Sequence, residues 1–388
     1  MKSTRNKYHY AVRKVKQQES IIRKNKMLQD CYNGKINDIL KHIKNGRKNN
    51  KGFANNIDGV SGANNISSHF KSIYTEIFNQ HDSSNKVSSV LHSVNNNIVN
   101  SDVHELDKIT NEVITNIILG LKCGKSDELY DWGTDALKHG VNHLSPHIKN
   151  LFKCFLVHGH ISQFFLSCAL LPIVKSAKES KLSSENYRLI AISSLMLKIF
   201  DYLIITLYGD NFVLDNLQFG FQKNSSTTFS SWTLIETINY FTNRDTPIFL
   251  CLLDLSKAFD TIQHDKLFTK LKDRIPPLFL RLVIYIYIKQ DGYIKWNNFK
   301  SDTFTFSNGV RQGAVASPTF FNIYINDLFN ILRLSGFGCK INHLYYGMLG
   351  YADDCCLLTP SRWALQKMLD ICNVYFKEHG IKISVNKI

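Results

Sequence analysis

Residues 349–358 read Leu-Gly-Tyr-Ala-Asp-Asp-Cys-Cys-Leu-Leu, an apolar run that is interrupted by two adjacent acids, Asp353 and Asp354. Short apolar segments on both sides of a polar pair predict a β-hairpin with the acids at its tip. A second apolar segment of strand length, Ile248–Asp254, also ends in an acid. Three carboxylates that converge from these two elements would repel one another strongly unless cations lay between them.

Magnesium is the cation that such a donor set favours. It is hard, prefers oxygen ligands, and is commonly held by one or two carboxylates together with substrate phosphates. Two such ions, roughly 3.5–4 Å apart, form the general machinery of phosphoryl transfer on nucleic acids. The three acids therefore predict two Mg²⁺ ions, with Mn²⁺ as a substitute. Taken alone, however, an Asp at the end of a strand more often belongs to a turn or a helix cap.

Three motifs in a fixed order point to a known family. Residues 351–354, Tyr-Ala-Asp-Asp, resemble the YADD box of reverse transcriptases, and residues 253–260, Leu-Asp-Leu-Ser-Lys-Ala-Phe-Asp, resemble their first palm motif. Between them, residues 309–318, Gly-Val-Arg-Gln-Gly-Ala-Val-Ala-Ser-Pro, resemble the Gln-Gly…Ser-Pro motif that leads from a loop into a helix. We expect Ser317 to be the N-cap of that helix and Pro318 its first residue.

More of the chain agrees with this resemblance. Residues 172–175 and 186–190 are similar to the two basic fingers motifs, and residues 217–221 to the block that follows them. The whole set most resembles the non-LTR (LINE-type) retrotransposon reverse transcriptases, over roughly residues 105–388. The resemblance implies an α+β fold: a right-hand polymerase palm, which is an antiparallel sheet of split-βαβ type, with fingers built from helices and strands.

The expected domain organisation has three parts. Residues 1–100 form a basic helical extension and an Asn/Ser-rich linker, residues 101–245 the fingers with early palm helices, and residues 246–388 the palm. The first 51 residues carry 15 Lys and Arg but three acids, and Tyr8–Ile43 has helical spacing. The basic side chains of this helix either bind nucleic-acid phosphates or are only exposed to solvent. We expect a polar linker over residues 79–100. The resemblance suggests a fragment that lacks the family's endonuclease and thumb.

The resemblance also assigns roles to single residues. Asp254, Asp353 and Asp354 would be catalytic and would hold the metal ions. The residues that would contact the incoming nucleotide are Lys175, Arg188, Phe259, Gln312, Gly313 and Tyr351. Lys175 and Arg188 would bind its triphosphate. The ring of Phe259 would exclude a 2′-hydroxyl, although an aromatic residue there can equally be part of the core. Lys387 is a candidate general acid for the departing pyrophosphate.

The implied function is that of an RNA-directed DNA polymerase, with an RNA template, a DNA primer and dNTP as partners. The formal net charge of +15 agrees with a polyanionic partner. No apolar run reaches the length of a membrane span, and no stable protein partner is indicated. The nine cysteines form no CxxC pair, which favours a reduced intracellular compartment. We expect a ribonucleoprotein in the nucleus or the cytoplasm.

Two alternatives stay open. A polymerase/maturase of the group II intron type shares the YADD box, although Phe259 within Lys-Ala-Phe-Asp argues against it. A catalytically silent RNA-binding remnant would need only the basic arm and the fold. Two departures from the family keep this second alternative open: Lys125-Ser126-Asp127-Glu128 stands where a Gly-x-Asp-Gly turn is usual, and Ala314-Val315-Ala316 follows the Gln-Gly pair.

Overall fold

The computed structural model describes residues 54–81, 83–98, 100–127, 133–176 and 178–384, and five isolated positions before residue 54. The chain divides into two compact units, Met1–Phe53 and Ala54–Ile388. The helix predicted over Tyr8–Ile43 lies outside the described residues except at those five positions, which are helical and exposed. Lys387 lies outside them as well. The sequence analysis placed the boundary between the extension and the fingers at residue 100. The second compact unit begins well before that residue, at Ala54.

The second unit opens with a small hairpin and a helix. Strands β1 (Asn56–Ile57) and β2 (Val60–Ser61) pair antiparallel, and helix α1 (Ala63–Phe78) follows at once. Ordered hairpin and helix therefore lie within residues 1–100, the part that the sequence analysis assigned to an extension and a linker. The buried ring of Phe70 lies 5.4 Å from the rings of both Tyr187 and Trp296. This aromatic cluster attaches α1 to the first sheet of the unit.

The polar linker predicted over residues 79–100 is wrong. Residues Ser84–Asn96 form helix α2, and a 3₁₀ helix follows over Asn100–Lys108. Four apolar residues, Val87, Val90, Leu91 and Val94, are spaced as one face of a helix and pack into the main core. The numerous Asn and Ser residues between them concealed this stripe in the sequence.

Ten further helices are described, and they place most of their apolar residues in one core. They are α3 (Asn111–Gly120), α4 (Thr134–His139), α5 (Val141–His158), α6 (Gln163–Leu166), α7 (Leu195–Tyr208), α8 (Thr227–Thr242), α9 (His264–Leu271), α10 (Pro277–Lys289), α11 (Ser317–Leu334) and α12 (Arg362–Glu378). None of the helices in the described ranges is both long and apolar enough to cross a membrane.

The first sheet combines strands that are distant in sequence. Its strands are β3 (Cys168–Val174), β4 (Tyr187–Ser193), β6 (Asp291–Trp296), β7 (Phe299–Lys300) and β8 (Phe304–Thr305). β3 and β4 form an antiparallel hairpin, whereas β6 runs parallel to β3. Tyr187, Leu189 and Ala191 of β4 are buried while Arg188 is exposed, the alternation of a half-buried strand. β3 and β4, which lie in the segment predicted as fingers, therefore share a sheet with β6, which lies in the segment predicted as palm.

The second sheet carries the acids and has the strand order β11–β12–β5–β13, with every pair antiparallel. Its strands are β5 (Phe249–Ser256), β11 (Met348–Tyr351), β12 (Asp354–Thr359) and β13 (Lys382–Ile383). A separate hairpin of β9 (Lys340–Ile341) and β10 (Leu344–Tyr345) lies just before β11 in the sequence. Helix α12 packs against β5 and β12. An antiparallel sheet backed by helices is the expected α+β palm, so the predicted fold class is confirmed.

Helix α11 has one buried face and corrects the expected N-cap. The spacing of its apolar residues by three and four positions is that of one helix face, and this face is buried throughout: Phe321, Tyr324, Ile325, Leu328 and Leu332. The predicted N-cap is wrong, because Ala316 precedes the helix and caps it without a side-chain hydrogen bond. Ser317 is the first helical residue and is fully buried.

Candidate active site

Two strands bring the three predicted carboxylates to one place. Asp354, the first residue of β12, pairs directly with Asp254 of β5. Asp353 lies in the turn between β11 and β12, so the predicted hairpin with acids at its tip is confirmed. All three side chains line a single cleft of about 590 Å³. Neighbouring strands in register therefore achieve the convergence that the sequence implied.

The carboxylates affect one another electrostatically. Burial raises the pKa of Asp353 above its ordinary value, and the nearby charges of Asp354 and Asp254 raise it further, while Arg188 acts in the opposite direction. A raised carboxyl pKa means that the negative form is disfavoured in the protein alone. A bound cation would remove this penalty.

Arg188 lies in the same cleft as the acids. It is exposed on β4, opposite Ile173 of β3. A guanidinium presents donors in a planar fork that matches phosphate oxygens. The cleft therefore places a guanidinium, which can bind phosphate, beside the acids, and Tyr351 also lines it.

The donor chemistry of the cleft fits a divalent metal ion, but the protein alone does not form a complete cage for one. Within the described part of the chain, no three His, Cys, Asp or Glu side chains are grouped closely enough to hold a metal ion. Mg²⁺ usually takes few protein ligands and completes its coordination with water and substrate phosphates. Asp254, Asp353 and Asp354 are the residues that could hold such an ion, with the substrate supplying further ligands.

The rest of the cleft surface is largely apolar and hydroxylated. Leu252 pairs with Cys356 two positions along the β5–β12 ladder from the acids, and it is 66% exposed. Ser230 and Leu234 of α8 line the cleft as well. Apolar surface beside a charged end suits a ligand with flat rings and a phosphate chain.

Lys175 lies apart from the acidic cleft. It follows β3, and its ammonium group donates a hydrogen bond of 2.6 Å to the carbonyl oxygen of Glu185. Burial raises the pKa of the Asp260 carboxyl, and the charge of Lys175 offsets part of that increase. The structure therefore does not place Lys175 among the cleft-lining residues, and its role at the triphosphate stays a prediction.

Phe259 packs against the helix behind the loop. Its ring stacks on that of Phe321 in α11, with centroids 4.9 Å apart and planes inclined by 21°. Its carbonyl oxygen accepts a hydrogen bond of 2.7 Å from the amide of Val310. Phe259 remains partly exposed, and its role at the sugar stays a prediction.

The Gln-Gly loop lies against β4. The amide of Ala191 donates to the carbonyl oxygen of Gln312 at 2.8 Å. Gly313 has φ +107°, and a Cβ atom there would lie 3.2 Å from both the Ala191 oxygen and the Ile190 side chain. Glycine is favoured at this position because the backbone angle is strained for any other residue and the space for a Cβ atom is tight. The loop therefore follows the strand that carries Arg188.

Two side chains that the sequence did not single out hold these motifs in place. Arg311 forms an ion pair of 3.1 Å with Asp201 of α7, and both side chains are almost fully buried. Gln218 accepts a hydrogen bond of 2.9 Å from the amide of Ala352, between Tyr351 and Asp353. The partners are 110 and 134 positions apart, and no local pattern predicts contacts over such separations.

An antiparallel sheet with facing aspartates, helices behind it and a basic strand across the cleft is the arrangement of a nucleic-acid polymerase palm with its fingers. The sequence model of the family described as "Reverse transcriptase (RNA-dependent DNA polymerase)" matches residues 176–388, more than half of the chain. The chain belongs to the reverse transcriptase family.

Several curated relatives come from non-LTR retrotransposons, which confirms the LINE-type resemblance. The chain is 24% identical over 247 residues to the Pol polyprotein from the type-1 retrotransposable element R2 of Nasonia vitripennis, covering 63% of this chain and 24% of that protein. It is 23% identical over 299 residues to the RNA-directed DNA polymerase from the mobile element jockey of Drosophila melanogaster, covering 73% and 31%. The chain therefore spans less than a third of these relatives.

A solved structure of apo telomerase from Candida tropicalis is similar over 68% of this chain and 57% of that chain, with 15% identity and a TM-score of 0.42.

Proposed function

We propose that this chain contains the catalytic core of an RNA-directed DNA polymerase, which extends a DNA primer with dNTP on an RNA template. The observation that carries the proposal is the pairing of Asp254 with Asp354 across β5 and β12, with Asp353 in the adjoining turn and Arg188 in the same cleft. Family membership supports the reaction class, and the +15 net charge supports nucleic-acid partners.

In the proposed reaction the primer 3′-hydroxyl attacks the α-phosphate of dNTP in line, and pyrophosphate leaves. Reverse transcriptases use divalent metal ions, and two Mg²⁺ ions held by Asp254, Asp353 and Asp354 would activate the hydroxyl and stabilise the leaving oxygen. Arg188 would bind the triphosphate and neutralise part of its charge. The exposed backbone at Gly313 would allow the nucleotide or template close to the loop.

The proposed partners indicate the cellular compartment. The protein would bind an RNA template of the parent element and a DNA primer inside the cell. We infer that the protein acts in the nucleus or the cytoplasm as a ribonucleoprotein.

The test is primer extension by the purified protein on poly-rA/oligo-dT with Mg²⁺. Asp254→Asn and Asp353→Asn should each lower the rate roughly 100-fold or more, because each removes a carboxylate charge that would hold the metal ions. Asp370→Asn, the same change at an exposed position of α12, is the matched control and should leave the rate unchanged. Retention of the wild-type rate within about tenfold in either active-site variant would refute the assignment.

The silent RNA-binding remnant is the second candidate, because RNA binding needs only the fold and basic charge, and the first 51 residues carry 15 Lys and Arg against three acids. The same preparation separates the two functions. Tight RNA binding with no extension in any divalent metal, while a reference reverse transcriptase extends the primer, would establish the remnant.

A further inference from the structure

The turn that carries the catalytic acids contacts a buried glutamine from a distant segment. Gln218 is 1% exposed. Its Oε1 accepts hydrogen bonds from the amide of Ala352 at 2.9 Å and from the amide of Gly220 at 3.1 Å. Its Nε2 lies 3.4 Å from the carbonyl oxygen of Ala352. One side chain therefore contacts both polar backbone groups of the residue that precedes Asp353.

Ala352 needs this support because of its backbone conformation. Its φ is +57°, in the left-handed region that costs free energy for any residue with a Cβ atom. Such conformations persist where the surroundings over-determine them, and they cluster at active sites. The left-handed residue directs the chain from β11 into Asp353 and Asp354, so the positions of both acids depend on it.

The segment around Gln218 is itself bound to the hairpin. The amide of Phe219 donates to the carbonyl oxygen of Gly350 at 2.7 Å, and the amide of Gly350 donates to the carbonyl oxygen of Leu217 at 2.8 Å. These two backbone bonds lie immediately before the turn, while the Gln218 side chain contacts the turn itself. The hairpin is therefore held at two successive points.

Gly220 allows the close approach. A Cβ atom at Gly220 would lie 2.3 Å from the backbone nitrogen of Ala352, a distance that excludes any side chain. Asn322 of α11 donates from its Nδ2 to the carbonyl oxygen of Gly220 at 2.7 Å. The glutamine segment is thus fixed to the helix behind the sheet and cannot retreat from the turn without breaking that bond.

We propose that Gln218 is a positioning residue that holds Ala352 in its left-handed conformation and thereby places Asp353 and Asp354 in the cleft. The catalytic consequence rests on the proposed polymerase function, whereas the hold on the turn does not. Gln218 touches no reacting atom and acts only through the backbone of Ala352.

The first test is amide hydrogen exchange read at single residues in the full chain, which needs no activity. In the wild type, the Ala352 amide should be protected. Gln218→Met keeps the volume and removes the acceptor, and should speed exchange at Ala352 and Gly220 about tenfold or more. Gln290→Met is the matched control: Gln290 is also 1% exposed, and among the described residues its Oε1 has no hydrogen-bond partner. It should leave both amides unchanged.

The second test separates positioning from general loss of structure. Titration with Mn²⁺, followed by electron paramagnetic resonance, should show roughly tenfold weaker binding in Gln218→Met, with a melting temperature close to that of Gln290→Met. Primer extension should show a lower kcat with little change in the KM for dNTP.

A fast-exchanging Ala352 amide in the wild type, or protection that survives in Gln218→Met, would overturn the proposal. So would unchanged Mn²⁺ affinity in a Gln218→Met protein that has lost protection. A wild-type protein that neither binds Mn²⁺ nor extends a primer would instead contradict the proposed function, and the exchange result would still decide whether Gln218 holds the turn.

Discussion

Asp201 of α7 and Arg311 of the Gln-Gly loop form an ion pair of 3.1 Å with side chains that are 6% and 4% exposed. Asp201 also accepts a hydrogen bond from the amide of Val315 at 3.2 Å, and Arg311 donates to Ser193 of β4 at 3.3 Å. The loop that carries Gln312 and Gly313 is therefore anchored at both ends, to a helix and to a fingers strand.

Removal of one member of this pair should be costly. Asp201→Ala leaves a buried guanidinium without its counter-charge, and we expect the free energy of unfolding to fall by about 3–5 kcal/mol. The control is Asp302→Ala, which breaks the contact of a 95% exposed carboxylate with Lys71 and should cost below about 1 kcal/mol. Urea denaturation measures both changes, and equal losses would contradict the importance of burial.

The stability of the protein should depend on pH through Asp260. Burial raises the pKa of this carboxyl from 3.8 to about 7, although Lys257 and Lys175 lower it. The folded state therefore binds the proton more tightly than the unfolded chain. The resulting stabilisation is fully present below about pH 4 and is lost as the pH rises through 7, and it amounts to about 4 kcal/mol.

Asp260→Asn is the variant that tests this dependence. The neutral amide should raise the free energy of unfolding above pH 7 and change it little near pH 4. Denaturation curves recorded between pH 4 and 8 measure the difference. An Asn variant that is less stable than the wild type at pH 8 would show that the ionised carboxylate is required for folding.

The sequence predicted the strands and the acids because both leave local signals. Apolar runs of strand length end at Asp254 and flank Asp353, and neighbouring strands in register bring the acids together. Helix α2 was missed because Asn and Ser residues surround its apolar stripe. Ser317 was misplaced because Ser-Pro at a helix start fits either an N-cap or the first turn.

The supports of the site could not be predicted from local patterns. Gln218 and Asp201 act through contacts with residues 134 and 110 positions away. A glutamine before Phe-Gly, or an acid in an apolar helix, carries no periodicity that names its partner. Only the packed fold determines that Gln218 faces Ala352 and that Asp201 faces Arg311.

Phe259→Val tests the proposed sugar selection. If the ring lies beneath the sugar of the nucleotide, its removal should lower the preference for dNTP over rNTP in kcat/KM by about tenfold or more. Phe321→Leu, which removes the stacking partner but leaves the Phe259 ring, is the control and should lower both rates in proportion. If Phe259→Val also lowers kcat/KM for dNTP and rNTP in proportion, Phe259 is a core residue and does not select the sugar.

Deletion of residues 1–53 tests the basic extension, because the boundary between the two compact units falls after Phe53. RNA binding should weaken for all sequences alike, and log K should fall less steeply with log salt, by roughly 0.7 for each lost phosphate contact on a single strand. Filter binding at several salt concentrations measures the slope. An identical slope with and without the extension would mean that its charges contact only solvent.

The parallel pairing of β3 with β6 has a consequence for synthesis of the protein on the ribosome. β3 begins at Cys168 and its parallel neighbour at Asp291, so the antiparallel hairpin of β3 and β4 leaves the ribosome long before the strand that covers its other edge. At translation speeds of about 5–20 residues per second, the free edge of β3 stays unpaired for roughly 6–25 s before β6 is synthesised. The interval between the synthesis of β5 and that of its partner β12 is almost as long. An uncovered strand edge is a template for pairing with other chains. Slower translation would therefore lengthen the exposure of these edges and increase the risk of aggregation during synthesis.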